Sequence, residues 1–440
     1  MRRSTYVFLG ILGILVTSAL TAASWPGWRG PDGLGISEDV GVPDAWTPET
    51  NVAWKAAIPG RGCSSPVVWE DRVFLTTAVE GERIPGAEAV KHLLGGEEFV
   101  HPESVGADRS HAFRVLCLDA RTGKPIWERT AYEGRVYDNR HRKASFASPT
   151  PVTDGKKVVA YFGSEGIYCF GIDGDPRWSS SVGKIATLGM GVGSSPVLHE
   201  GLVILQCDGN IGDSFIAALD AESGKEVWRA RRSAGPTWST PVILRTGGRS
   251  ELIANATELI AAYDPATGEE LWATRGILSN AIHSPVATEG LAFVTAGYPS
   301  KRALAIRPGG HVDLDVESRI LWEHTRGIAY VVSPIAYRGL VYLVSDQGLI
   351  TCLDPRTGEV KYEGGRLPSP SRFTASPVAC EGRLFLTSEA GDTFVVRAGP
   401  VHEVLRTNPL DEAVYASAAI AGGRIFIRGE KHLYCIGAGA

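Results

Sequence analysis

The sequence predicts an all-β fold: an eight-bladed β-propeller with four-stranded antiparallel blades, in which an N-terminal strand closes the ring. Two observations predict the blades. A strand-opening string and a string ending in an aromatic residue each recur at intervals of roughly 40 to 50 residues, the period of propeller blades. The one longer gap is explained by an insertion in the first blade. A third observation predicts closure, because the aromatic string begins one copy earlier than the strand-opening string.

The strand-opening string is a Ser or Thr followed by Pro, and then two apolar arms joined by a turn, as in SPVVWEDRVFLTT from Ser65. Proline is tolerated at the first residue of a strand, and the Glu-Gly or Arg-Gly pair in four of the eight copies suits a tight hairpin turn that needs positive φ. The eight copies place Pro66, Pro151, Pro196, Pro241, Pro285, Pro334, Pro377 and Ala418 at equivalent positions.

The second string ends each predicted blade, as in ALDAESGKEVW from Ala218 to Trp228. Its Asp can bond backbone amides ahead of it, and its Gly releases the chain into the outer strand. The aromatic residues are predicted to dock one blade on the next, and they are Trp54, Trp127, Trp178, Trp228, Trp272, Trp322 and Tyr362, with Leu405 at the eighth position.

Ring closure follows from the offset between the two strings. Trp54 precedes the first blade, whereas the last copy stops near Ile436 without an aromatic marker. We therefore expect the segment from Asn51 to supply the outer strand of the last blade. The propeller is predicted to span residues 48–436 and to be monomeric, because a closed ring has no free edge to pair.

Three segments lie outside the repeats. Residues 1–23 combine Arg2 and Arg3 with an apolar run and small residues, which is typical of a signal peptide. A membrane anchor is the alternative, but the run is shorter than the roughly 20 residues that span a bilayer. Residues 24–47 form a lead-in rich in Gly, Pro and Trp, and residues from about 80 to 111 form an insertion in the first blade.

Composition excludes some functions. The formal net charge is −5, from 44 basic and 49 acidic residues, whereas nucleic-acid binding calls for a basic face.

The chain contains seven cysteines. Cys117, Cys169, Cys352 and Cys435 occupy the same place in their repeats, so we expect small core residues rather than a disulfide framework.

No recognisable catalytic chemistry is present. The sequence has no CxxC, no HExxH and no phosphate-binding loop, and we assign no catalytic residue and no metal ligand. Serine before proline recurs in most blades, so it meets a geometric requirement rather than supplying a nucleophile. The residues predicted to face a ligand or partner are Arg140, His141, Arg142, Lys143, Asp208, Arg232 and Trp238.

The first four of these form a basic run that leads into the second blade, near one end of the channel. Arg142 could grip a carboxylate through two parallel hydrogen bonds. The alternative is a solvated loop without a ligand.

The AxDxxTGxxxW-like copies resemble the tryptophan-docking repeat of the pyrroloquinoline-quinone (PQQ) dehydrogenases and of their cofactor-free relatives such as BamB. The resemblance covers nearly all of the chain after residue 23 and implies the propeller fold. The dehydrogenases also carry two adjacent cysteines, a calcium-binding Glu and Asn, and an Asp base. No two cysteines are adjacent here, so no cofactor is expected, with PQQ and calcium as the alternative.

The resemblance leads us to expect a periplasmic or secreted, non-catalytic scaffold that binds an envelope protein and has no membrane span once the signal is cleaved. BamB-like proteins usually carry a lipid-anchoring cysteine after the signal, which this sequence lacks. Two alternatives stay open: a PQQ-dependent oxidoreductase and a polysaccharide-binding propeller. Shared fold alone decides none of these.

Overall fold

The computed structural model describes residues 24–209, 214–278, 280–309 and 316–438. The predicted signal peptide at residues 1–23 lies outside the described residues. Within those ranges the regular elements are strands, apart from two short 3-10 helices, Gly163–Glu165 and Val316–Arg319.

The strands build eight four-stranded antiparallel blades, which confirms the predicted fold. First strands of neighbouring blades contact one another, so they surround the axis. From axis to rim the strands are, in blade 1, Val67–Trp69, Arg72–Arg83, Arg109–Asp119 and Pro125–Arg135; in blade 2, Val152–Thr153, Lys157–Tyr161, Ile167–Gly171 and Pro176–Ser180; in blade 3, Val197–His199, Leu202–Cys207, Phe215–Asp220 and Glu226–Arg231; in blade 4, Val242–Thr246, Arg249–Ala256, Leu259–Tyr263 and Glu270–Arg275; in blade 5, Val286–Thr288, Leu291–Ala296, Arg302–Ile306 and Ile320–His324; in blade 6, Ile335–Tyr337, Leu340–Val344, Ile350–Leu353 and Val360–Gly365; in blade 7, Val378–Cys380, Arg383–Thr387, Thr393–Arg397 and Val404–Asn408; and in blade 8, Ala419–Ala421, Arg424–Arg428, His432–Ile436 and Val52–Ala57.

The outer strand of blade 8 comes from the N-terminal part of the chain, as predicted. Val52–Ala57 pairs antiparallel with His432–Ile436, and Trp54 faces Cys435. The last blade is therefore built from both ends of the repeat region, and the ring has no open edge at its seam.

The disc has two distinct faces. We call the upper face the side that carries the second-to-third strand loops and the connections from one blade to the next. The lower face carries the remaining turns. In blade 3 one lower turn has Glu200 at φ 46° and Gly201 at φ 82°, the left-handed conformation predicted for the Glu-Gly pair.

Aromatic docking joins the blades near the rim. The indole Nε1 of Trp178 donates a 3.1 Å hydrogen bond to the carbonyl of Ala221 on the next blade. The ring covers Gly224, where a Cβ would lie 2.4 Å from the indole. Trp54, Trp127, Trp228 and Trp322 repeat this arrangement with donor distances of 2.9 to 3.2 Å.

Two predicted docking residues differ from this pattern. Trp272 donates instead to Glu251 Oε2 at 2.9 Å, and the Arg319 guanidinium lies 4.8 Å from the Trp272 ring centroid. Blade 5 lacks the Asp-x-x-Thr-Gly turn of its neighbours, and a buried carboxylate takes its place as the acceptor. Tyr362 packs beside His402 of blade 7, with ring centroids 5.4 Å apart.

The repeated Ser or Thr before proline links the blades around the axis. In six places the hydroxyl of one such residue accepts a hydrogen bond from the backbone N–H of the equivalent residue one blade earlier, at 2.8 to 3.0 Å. The six described links run from Ser65 to Thr150, Thr150 to Ser195, Ser195 to Thr240, Ser284 to Ser333, Ser333 to Ser376 and Ser376 to Ser417.

The lead-in enters the central channel from the lower face. We call residues 25–35 the plug. Trp25, which is fully buried, pairs with Val68 of the first strand of blade 1. On the far side of the axis, Trp28 Nε1 donates to Ser284 Oγ at 2.8 Å and Arg29 Nη2 donates to the carbonyl of Pro334 at 2.9 Å. The plug thus spans the channel from blade 1 to blades 5 and 6.

After the plug the chain runs outward below blade 7. Ile36 bridges Ala379, the Val42 amide donates to Glu381, and the Trp46 amide donates to Asn408 Oδ1 at 3.1 Å. The lead-in therefore connects the axis to the closing strand at the rim.

The insertion folds over the upper face. Its hairpin, His92–Leu94 with Glu97–Phe99, is anchored by a buried contact of 2.9 Å between His92 Nε2 and Asp138 Oδ1. A second pairing joins Ser104–Val105 to Arg140–His141.

Candidate ligand site on the upper face

Two connecting segments meet at the upper mouth of the channel between blades 8, 1 and 2. The amides of Cys63 and Ser64 each donate a 3.1 Å hydrogen bond to the carbonyl of Ala147. Ser145 Oγ donates to the carbonyl of Arg61 at 2.8 Å. These bonds fix segment 61–64 against segment 140–148, so the side chains that both segments carry are held together.

Three arginines converge there, and we call Arg61, Arg140 and Arg428 the arginine cluster. Arg428 is 2% exposed, and its Nη1 donates to Ser64 Oγ at 2.5 Å and to the carbonyl of Thr76 at 2.8 Å. Arg140 is 8% exposed and donates to the carbonyls of its own loop. Within the described ranges no carboxylate forms an ion pair with any of the three.

Cys63 lies within the arginine cluster. It is partly exposed, whereas the other six cysteines are buried, and all seven are free thiols. Burial raises the pKa of the Cys63 thiol, and the positive charges of Arg428, Arg61 and Arg140 oppose that effect. Burial also lowers the pKa of Arg428 to about 10.

The rest of the predicted basic run is paired with acids. Glu103 of the insertion lies 2.7 Å from His141 Nε2 and 2.6 Å from Arg142 Nη2. Lys143 Nζ lies 3.4 Å from Glu389 Oε2 on blade 7. The Arg142 guanidinium, which the sequence suggested as a carboxylate grip, is thus already bonded to a carboxylate of the chain.

Asp208 and Arg232 form a buried pair at the junction of blades 3 and 4. Their side chains have no exposed surface, and Arg232 Nε lies 3.4 Å from Asp208 Oδ1. Gln206 Nε2 donates to Asp208 at 2.7 Å and to the Asn255 carbonyl of the next blade at 2.9 Å. This geometry connects neighbouring blades, and it leaves neither charge facing solvent.

Trp238 also contacts the rest of the ring. Its Nε1 donates to the carbonyl of Gly191 at 2.7 Å, and its backbone N–H donates to the carbonyl of Ala281 at 2.9 Å. Trp238 therefore bonds to the connections on either side of it, to one through its indole and to the other through its backbone.

Arg29 and His283 contribute polar groups deeper in the channel. Burial lowers the pKa of Arg29 to about 9, and it lowers the pKa of His283 to about 4. His283 Nδ1 lies 2.5 Å from Thr295 Oγ1. The floor below the upper mouth is thus formed by the chain's own buried side chains.

The described residues can be compared with the calcium and quinone site that the dehydrogenases carry. They include no group of three His, Cys, Asp or Glu side chains placed to hold a metal ion. The thiol near the upper mouth, Cys63, has Gly62 and Ser64 as neighbours rather than a second cysteine.

Part of the arginine cluster was not predicted from the sequence. Arg61 lies just before the first strand-opening string, and Arg428 lies in the degenerate eighth copy. Arg428 stands where other blades carry Thr76, Gln206 or Asn255, so a comparison of the repeats position by position could have detected it.

Comparisons with known protein families and structures agree with the propeller fold. The family described as "Outer membrane protein assembly factor BamB" matches residues 79–211, 111–363 and 212–438. Curated protein sequences give no significant match. Among the described residues, no helix has the length and apolar character needed to cross a membrane.

Solved structures with the same fold include a BamB and two kinds of alcohol-oxidising dehydrogenase. BamB from Moraxella catarrhalis is 16% identical, with a TM-score of 0.53 over 82% of this chain and 97% of that chain. Quinohemoprotein alcohol dehydrogenase from Comamonas testosteroni is 13% identical, with a TM-score of 0.60 over 95% and 81%. A europium-containing methanol dehydrogenase is 10% identical, with a TM-score of 0.52 over 93% and 90%.

Fold and docking repeats define a closed PQQ-like repeat propeller. Since the family matches together span most of the sequence, the chain belongs to the BamB-like family of these propellers. At such low identities the solved structures establish the fold and leave open whether the chain is an enzyme.

Proposed function

We propose that this protein is a non-catalytic binding propeller of the cell envelope that presents its upper face to a protein partner. The main support for this proposal is the position of the plug in the channel. Trp25 and Arg29 are buried on the axis and bond or pack against opposite blades. A partner that engages the channel therefore approaches from the upper face, where the insertion and the arginine cluster lie.

The insertion supports a protein as the partner. Leu93, Leu94 and Val100 are 61, 55 and 78% exposed, and they lie within eight residues of one another. Clustered exposed apolar side chains are typical of protein interaction sites. The family description names outer membrane protein assembly, which favours an envelope protein as this chain's partner.

The hydrogen bonds of polar side chains near the axis support a structural rather than a catalytic role for these residues. Asn255 Nδ2 donates to the carbonyls of His283 and Thr295, each at 3.2 Å, and Gln206 and Arg428 make similar bonds to the next blade. A catalytic base or nucleophile needs a side chain that is free to face substrate.

Site-specific photo-crosslinking in the native envelope tests the proposal. Val100 on the insertion and Val401 in a lower-face turn are similarly exposed, at 78 and 73%. With benzoylphenylalanine at each position in turn, we expect a discrete protein adduct from position 100 and none from position 401.

Both variants use the full-length protein, and the two positions are similarly exposed but lie on opposite faces. Equal adducts from both positions, or adducts from position 401 alone, would contradict the proposal. The absence of any adduct from position 100, or from Leu93 in a second variant, would also contradict it.

A further inference from the structure

We infer that the arginine cluster is a binding site for an oxyanion group, a carboxylate or a phosphate, of a small soluble ligand. The inference rests on the proposed function in one respect: it takes the upper face as the binding face. It adds the chemical class of ligand that this face accepts.

Charge balance is the first argument. Arg61, Arg140 and Arg428 converge on Cys63, and within the described residues none of them forms an ion pair with a carboxylate. Glu80, whose charge reaches Arg140, is itself paired with Arg109 at 3.3 Å. Arg428 and Arg140 are 2 and 8% exposed. A buried charge is costly unless it is paired, so an anion that enters this cluster supplies the missing negative charge.

The contrast with neighbouring cations is the second argument. Arg142 and Lys143 come from the same connecting segment, and each has an acidic partner, Glu103 at 2.6 Å and Glu389 at 3.4 Å. The chain thus pairs the outer cations of the segment with acids and leaves the inner ones without an ion-pair partner among the described residues. This distribution creates a positive potential at the mouth rather than over the whole face.

Rigidity is the third argument. Arg61 Nη2 donates to the carbonyl of Lys143 at 3.2 Å, and Gly62 lies so close to Arg428 that a Cβ there would be 2.0 Å from Nη2. The guanidinium groups are therefore fixed before a ligand arrives. A guanidinium presents donors in a planar fork that matches the two oxygens of a carboxylate or phosphate.

Cys63 provides a built-in reporter, since the other cysteines are buried. We would compare its labelling at low ionic strength by an anionic disulfide, 5,5′-dithiobis(2-nitrobenzoate), and by neutral 2,2′-dithiodipyridine, with free cysteine as the reference. We expect the cluster to favour the anionic reagent by roughly tenfold. Arg61→Gln should reduce that preference several-fold, whereas Arg326→Gln, whose side chain is 75% exposed elsewhere, should leave it unchanged.

Citrate and inorganic phosphate serve as probes of the ligand class, and glucose serves as the neutral control. We expect at least one of the two anions to slow labelling by the neutral reagent and to raise the melting temperature of the wild type but not of Arg61→Gln. Protection by citrate alone would indicate carboxylates, and protection by phosphate alone would indicate phosphates. If Cys63 reacts with neither reagent, the melting temperatures alone show whether an anion binds.

The inference would be overturned by three results together. Cys63 would prefer the anionic reagent no more than free cysteine does, neither anion would slow its labelling, and neither anion would raise the melting temperature. Adducts from position 100 in the crosslinking experiment do not depend on Arg61. If those adducts form while anions fail to bind, only this inference fails. If anions bind while the adducts are missing, the protein-binding proposal fails and the anion site stands.

Discussion

The indole of Trp54 covers Gly123, and its Nε1 donates a 3.0 Å hydrogen bond to the carbonyl of Ala120. Trp54 belongs to the closing strand of blade 8, and Gly123 belongs to blade 1. This contact joins the two ends of the ring, so the closing strand is held by side-chain docking as well as by its backbone pairing.

Trp54→Ala should lower the free energy of unfolding by about 3 to 5 kcal/mol, because it leaves a cavity at the seam. Trp54→Phe keeps most of the packing and should lose only about 1 kcal/mol through the missing hydrogen bond. Chemical denaturation of both variants measures the difference. A loss below about 1 kcal/mol for the alanine variant would show that backbone pairing alone closes the ring.

Gly123→Ala tests the close approach itself. Gly123 has φ +70°, and a Cβ there would lie 2.5 Å from Trp54 Cε3, whereas Gly290 has φ +75° with nothing within 4 Å. Gly290→Ala should lower the free energy of unfolding by about 1 to 2 kcal/mol through backbone strain. Gly123→Ala should lower it by a further 1 to 3 kcal/mol, roughly, through the clash with the indole. An equal loss of unfolding free energy in the two variants would mean that the indole of Trp54 moves aside freely.

His283 should make stability fall in mild acid. Burial holds its pKa in the folded state at about 4, below the unfolded value near 6.5. The unfolded state therefore binds the proton first, so the stabilisation is complete above pH 6.5 and is lost as the pH falls toward 4. Between pH 7 and pH 5 the loss should be about 2 kcal/mol.

His283→Asn serves as the comparison, because it keeps a polar side chain near Thr295 but does not titrate in this range. Its free energy of unfolding should change less between pH 7 and pH 5 than that of the wild type. An identical pH dependence for the two proteins would assign the effect to other groups, such as His111, whose pKa burial also lowers.

Asp138→Asn should release the insertion. The His92 and Asp138 side chains are 5 and 8% exposed, and the contact between them anchors the hairpin. Replacing the carboxylate by an amide removes an acceptor oxygen from this buried contact and so weakens it. Limited proteolysis should then cut between residues 80 and 111 faster, with little change in the melting temperature of the ring. Lys91→Ala, which removes an exposed pair with Glu98, is the matched control.

Unchanged proteolysis in Asp138→Asn would mean that the pairing of Ser104–Val105 with Arg140–His141 holds the insertion without His92. A collapse of the melting temperature would mean instead that the insertion is an integral part of blade 1.

The fold could be predicted because it repeats. Pro66 and its equivalents fix the blade count, and the offset of Trp54 from them fixes the closure. Long-range contacts that occur only once could not be predicted in this way. Arg29 reaches the carbonyl of Pro334, 305 residues away, and nothing in the Gly- and Trp-rich lead-in indicates that it fills the channel.

The candidate site was predictable only in part for the same reason. The basic run identified Arg140, but the acid that neutralises Arg142 lies 39 residues earlier, in the insertion. Arg428 comes from the opposite end of the chain and reaches the mouth only because the ring closes. Which cations remain unpaired is therefore a property of the folded ring and not of any single segment.

The most direct test of the central claim, binding without redox catalysis, is a titration of the purified protein with PQQ and calcium, followed by absorbance and melting temperature. We expect no saturable change in absorbance and no calcium-dependent rise in melting temperature, because buried side chains of the plug occupy the axis and Cys63 has no adjacent cysteine. Saturable, calcium-dependent binding with a raised melting temperature would contradict the account and make the upper mouth an active site.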